Sequence, residues 1–176
     1  MDSSNLIYKS YVFPERPEIS RLLAGLPSVT HALFAEGVPK SFIGRRYTAD
    51  SELTPLETEG SKRILRFGSS GLADAVVIDL VSGHVLEIVN APHPVSVFIN
   101  TSLGQFTRTV RAVISRFPYY DNDSDEDEIS GVANELTDIV RSIDPEAVVP
   151  DRYWSTFIDD VEIGDLSTEA ILAAIS

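Results

Sequence analysis

The sequence predicts an α+β fold in which one antiparallel sheet of about five strands is covered by helices from both ends of the chain. Three observations carry that prediction. Apolar residues recur at helical spacing near the N-terminus, run together or alternate through the middle, and return to helical spacing from about Ser102 onward. Strands and helices fall in separate blocks instead of alternating, which disfavours a parallel βαβ sheet. No internal repeat or linker interrupts the 176 residues, and 43% apolar with 23% charged residues suits one sizeable core, so 1–176 reads as a single domain.

Taken in order, Ile19, Leu22, Leu23 and Leu26 form one apolar helical face, with Pro17 in the first turn. Gly25 is expected as a left-handed cap, with Pro27 barring continuation. Strands are predicted at Ser41–Arg46, Arg63–Phe67, Ala75–Leu80, His84–Val89 and Val95–Ile99. The run Val76-Val77-Ile78 marks a central strand. Gly83 is placed for the positive φ of a hairpin connection, and the polar segment Asp50–Gly60, containing Pro55, is expected to be a loop. Ser102 and Gln105 match a capping box ahead of the stripe Leu103, Phe106, Val110, Val113, Ile114 and Phe117, which Pro118 stops. Val132, Leu136, Ile139, Val140 and Ile143 give the next helix. Asp144-Pro145 can then cap a new turn, with the Asp144 side chain at the N-cap. Trp154, Phe157, Ile158 and Val161 form a further face, expected to pack on the sheet beside the preceding helix. Ser167 is positioned to cap a last helix, Thr168–Ile175.

Composition narrows the function classes. The net charge is −13, from 27 acids against 14 bases. Nucleic acid and anionic membrane surfaces both need Lys/Arg to displace or offset negative charge, so neither is an expected partner. A basic protein is the partner that such a charge attracts. The absence of cysteine removes disulfides, thiolate nucleophiles and sulfur-rich zinc sites. Met1–Asn5 lacks the basic and apolar regions of a signal peptide, and no apolar run is long enough to span a bilayer; the expected location is the cytoplasm.

The search for chemistry finds no active site. None of His31, His84 and His93 has a second His or a Glu at the spacing of a helical metal site, so no metal and no cofactor is expected. Gly68-Ser69-Ser70-Gly71 departs from Gly-x-Ser-x-Gly and reads as a strand-connecting turn. Asp79 is either a ligand or base at the end of the most apolar strand, or an acceptor for the N–H groups of its own turn, the commoner role. Asp121, Asp123, Asp125, Glu126, Asp127 and Glu128 make six acids in eight residues. The opening resembles a calcium loop, but Glu126 stands where Gly is needed and Val132 where the closing Glu is needed. Two readings of the run at 121–128 stand: a mobile, solvated connector, or an anionic lure that imitates nucleic-acid phosphates before a basic partner.

Gly25-Leu26-Pro27 with Leu33-Phe34, Arg63–Gly68, Val77-Ile78-Asp79 with Ser82–Val85, Phe98–Phe106, Ile143–Ala147 and Trp154 follow one another along the chain. In that order they resemble the SUKH superfamily of bacterial immunity proteins, relatives of the fungal Smi/Knr regulators, and most closely its fourth immunity group. Thr101 replaces the Ser usual in the family's Val-Asn-Ser-Ser-Leu-x-x-Phe motif. The resemblance covers most of the chain. It implies an α+β fold without a catalytic centre. It also implies service as the antidote to a toxin domain, often a nuclease or deaminase, delivered between competing bacterial cells. The expectation is therefore a non-enzyme that binds a cognate basic protein toxin, with the six acids of the run as its partner-binding residues. The alternatives are a regulatory or scaffold module without a toxin partner, or an unrecognised hydrolase.

Overall fold

A six-stranded antiparallel meander organises the chain in the computed structural model, which describes residues 9–43, 46–57, 63–71 and 73–174. The chain enters through β1 (Ser10–Tyr11), which pairs with β2 (Val38–Pro39) in a separate two-stranded sheet. Between them lie α1 (Pro17–Leu22), α2 (Pro27–His31) and a π-helical turn, Ala32–Glu36. The large sheet follows as β3 (Ser41–Phe42), β4 (Tyr47–Glu57), β5 (Arg63–Ser70), β6 (Asp74–Asp79), β7 (Val85–Val89) and β8 (Val95–Asn100), each beside its sequence neighbour. Then come α3 (Leu103–Ser115), α4 (Glu126–Ile143), a 3₁₀ turn at Pro145–Val148, α5 (Tyr153–Glu162) and α6 (Thr168–Ala174).

One face of the curled sheet carries Leu65, Phe67, Val76, Ile78, Val85 and Ile99 into the main core. There they meet Phe106, Val110 and Val113 of α3, Leu136 and Val140 of α4, and Trp154 and Phe157 of α5. Aromatic rings knit the layers: Tyr47, Phe67 and Phe106 stack mutually at 5.0–6.0 Å, and Phe42, Trp154 and Phe157 at 5.3–5.8 Å. A smaller cluster of Ile64, Ala75 and Val77, flanked by Leu56, Leu86 and Ile88, is separate from that core. The period-two alternation of strand side chains divides the two clusters between opposite faces.

Three expectations are corrected. The sheet has six strands because the segment read as a loop from Asp50 is β4 instead. Its Pro55 pairs with Leu65 of β5, and β3 covers β4 only at Tyr47 and Thr48, so the proline sits in an edge stretch, where a strand tolerates one. Residues 58–60 of that expected loop, Gly44 and Arg45 of the first expected strand, Met1–Asn5, and Ile175 of the last helix lie outside the described residues. Gly25 is not left-handed; α1 ends at Leu22, the Leu26 N–H closes a turn onto the Leu23 carbonyl at 2.8 Å, and Pro27 opens α2 at its first position. The Gly68–Gly71 turn is narrower than expected, since β5 runs through Ser70 and only Gly71 takes a positive φ, 57°.

Other elements match. Gly83 has φ 80°, and Asp79 serves its own turn, accepting from the Val81 and Ser82 N–H groups at 2.7 and 3.2 Å. Ser102 caps α3, accepting from the Gln105 N–H, and Ser167 accepts from the Ala170 N–H at 3.1 Å in α6. α4 and α5 pack together on the sheet, and Trp154 is fully buried.

Candidate partner-binding surface

A buried polar node fixes the helical layer against the sheet. Asn100 ends β8 with its side chain fully enclosed; its Oδ1 accepts from Trp154 Nε1 at 2.9 Å, and its Nδ2 donates to Asp144 Oδ2 at 2.9 Å. The same carboxylate accepts from the Thr101 N–H at 2.7 Å and the Thr101 hydroxyl at 2.9 Å. Asp144 does cap the 3₁₀ turn by position, but its side chain makes no capping bond there and turns to β8 instead. Gln105 likewise leaves the expected capping box: its Oε1 accepts from the Ser102 hydroxyl, and its Nε2 reaches the Ile143 carbonyl at 3.2 Å, tying the start of α3 to the end of α4. These are the Asn-Thr-Ser, Asp-Pro and Trp pieces of the family resemblance, brought to one point. Their chemistry is structural, since every polar group of a buried node needs a partner.

The acidic run is not a loop throughout. Asp125 is the N-cap of α4, accepting from the Glu128 N–H at 2.9 Å, and Glu126, Asp127 and Glu128 form its first turn. Carboxylates there meet the positive end of the helix dipole, so the helix begins six residues before Val132, the first residue of its predicted stripe. The preceding segment is also tied down. Tyr120 is buried, donating its hydroxyl to the Val161 carbonyl and accepting from the Leu166 N–H, and its carbonyl accepts from the Thr168 N–H. The Asn122 N–H donates to Glu169 Oε2 at 3.1 Å. All six predicted partner-binding acids are nevertheless exposed, and the same contacts bring Glu169 of α6 beside them.

Sequence reasoning missed how unevenly charge is distributed. Residues 117–140 hold eight acids and residues 153–176 hold five, and neither segment contains a Lys or Arg. The remaining 14 acids are matched by all 14 bases, so the whole net charge of −13 belongs to the segments that build α4, α5 and α6. Part of it is met at the edges: Arg46 pairs with Asp160 at 2.7 Å, Arg141 with Asp138 at 2.7 Å, and Arg116 with Glu135. The two base-free stretches were the available signal, and the fold is what places them in one layer.

Elsewhere the ionisable groups do less. A cleft between α2 and the start of α3 holds His31 and Glu36, Nδ1 to Oε1 3.1 Å, with Ser28 and Ser102 on its wall. Both partners are about 60% exposed, no hydrogen bond joins the Ser28 hydroxyl to the ring, and the Ser102 hydroxyl is committed to α3. Burial raises the Glu87 carboxyl above its usual range; the Ser70 hydroxyl opposes that shift and Asp74 adds to it. Burial likewise raises the hydroxyls of Tyr47, Tyr119 and Tyr153. Among the described residues no group of three or more His, Asp or Glu is placed to hold a metal ion, and no helix is long and apolar enough to cross a membrane.

Comparison with protein families matches residues 15–160 to the SUKH-4 immunity proteins. No curated protein and no solved structure gives a match.

Proposed function

Because the chain belongs to the SUKH-4 immunity protein family, we propose that it neutralises a cognate basic toxin of nuclease or deaminase type by binding it and covering its catalytic cleft. Family membership supports an immunity role and implies a toxin partner. The observation that carries the finer reading is the confinement of the net charge to the segments that build α4, α5 and α6. A cleft that handles nucleic acid is lined with Lys and Arg to offset phosphate charge. A layer of carboxylates offers the complementary potential, which raises the encounter rate and discriminates against acidic or neutral partners. Asp121, Asp123, Asp125, Glu126, Asp127 and Glu128 supply the densest part of that field. No covalent step is involved; inhibition is stoichiometric occlusion, and it takes place in the cytoplasm, where the toxin meets its substrate.

The experiment is a pull-down with the proteins encoded beside this gene, followed by titration of the captured toxin's activity. The expected result is inhibition complete near one equivalent. A captured partner with no toxic activity would replace immunity with the regulatory-module reading.

A further inference from the structure

α4 and α5 lie side by side with a cleft between them. Its volume is about 250 Å³, several times the roughly 30 Å³ that one water occupies in the liquid. Val148, Pro150 and Ile158 are its apolar lining, and Thr137 of α4, Ser155 and the exposed Asp151 and Asp159 are its polar lining. No basic side chain lines it, and the two nearest in sequence are engaged elsewhere. Arg152 lies over the Phe98 ring at 4.1 Å and faces Glu146 at 3.6 Å, while Arg141 holds Asp138. Ser155 is similarly committed, accepting from the Arg152 N–H at 3.0 Å. Ile163, the residue that ends α5 four positions after Asp159, is 71% exposed.

We propose that this cleft is the socket for an arginine side chain of the basic partner. The inference rests on the immunity reading and adds where on the acidic layer the partner is held. An arginine stem lies against apolar surface while its head stays polar, which fits a cleft lined by Val148, Pro150 and Ile158 together with two aspartates. Its planar fork donates to carboxylates in pairs, which a lysine cannot do. A pocketed charged anchor of this kind acts on dissociation, whereas the exposed run at the start of α4 acts on encounter.

Two measurements test it. The first is NMR titration of the chain with N-acetyl-arginine methylamide, using the citrulline counterpart as control. Saturable shifts at the amides of Thr137, Val148, Asp151 and Asp159, absent with citrulline and absent in the D151N/D159N chain, are expected. Asparagine tolerates the left-handed backbone of Asp151, φ 63°, as aspartate does, so the variant should keep the fold. The second is binding kinetics against the toxin encoded beside the gene. D151N/D159N should dissociate at least tenfold faster with its on-rate little changed. Arginine shifts that avoid the cleft, or a D151N/D159N chain that holds the toxin as long as the unaltered chain, would overturn the socket while leaving immunity standing. Arginine binding in the cleft with no toxin binding by the unaltered chain would do the reverse.

Discussion

Asp144 shows how much one side chain decides here. Its carboxylate takes three hydrogen bonds from Asn100 and Thr101, and Asn100 in turn orients Trp154. Asp144→Ala leaves the buried Asn100 amide and the half-buried Thr101 donors without this acceptor and should cost about 3 kcal/mol by denaturant unfolding. Trp154→Ala should cost about 3–5 kcal/mol, since it opens a cavity beneath α5 and orphans the Asn100 carbonyl; an unchanged unfolding midpoint would mean that the indole is not packed as described. The sequence made Asp144 and Trp154 visible as a cap and a buried aromatic. It could not show that they share a partner, because Asn100 stands 44 and 54 residues away and only the return of the chain over β8 brings them together. Glu87 gives a pH-dependent test. A carboxyl whose folded pKa is raised binds its proton more tightly in the native state, so its contribution is full below the unfolded value and is lost as pH climbs through the raised one. Glu87→Gln should therefore match the unaltered chain in acid and exceed it in stability at neutral pH, measured by thermal unfolding across pH.

At the scale of elements, the helices with caps and apolar stripes were legible, and the errors have local causes. α4 was expected from Val132 because apolar periodicity starts there; its true start rests on Asp125 and three acids, a polar signal that a solvated connector also gives. Asp125→Ala should cost about 1 kcal/mol and fray the first turn, which hydrogen exchange at Glu128 and Ile129 would register as faster exchange. β4 was missed because Pro55 and a polar composition suggest a loop. That composition is tolerated because β3 pairs only with the first two residues of β4. Gly68 within β5 has a reason that no sequence pattern carries: a Cβ there would come within 2.5 Å of the Tyr47 ring and 2.8 Å of the Thr48 carbonyl.

At the scale of the molecule, the fold separates two tasks. The sheet and the buried node hold shape, and the layer of α4, α5 and α6 holds the charge. Total charge was legible from composition, but its concentration was not, because the two base-free stretches are separated by residues 141–152 and become neighbours only through packing of α4 against α5 and the hydrogen bonds of residues 166–169 to Tyr120 and Asn122. The charge acts over about 8 Å at physiological ionic strength, so it steers a partner during approach and adds less once the surfaces have met. The most direct test of that claim is association kinetics with the toxin encoded beside this gene at several salt concentrations. It should compare the unaltered chain with one in which Asp121, Asp123, Asp125, Glu126, Asp127 and Glu128 are replaced by Asn or Gln. The on-rate should fall steeply with salt in the unaltered chain and be lower and flatter in the variant, with a nearly unchanged off-rate. An on-rate indifferent to both salt and substitution would contradict that claim.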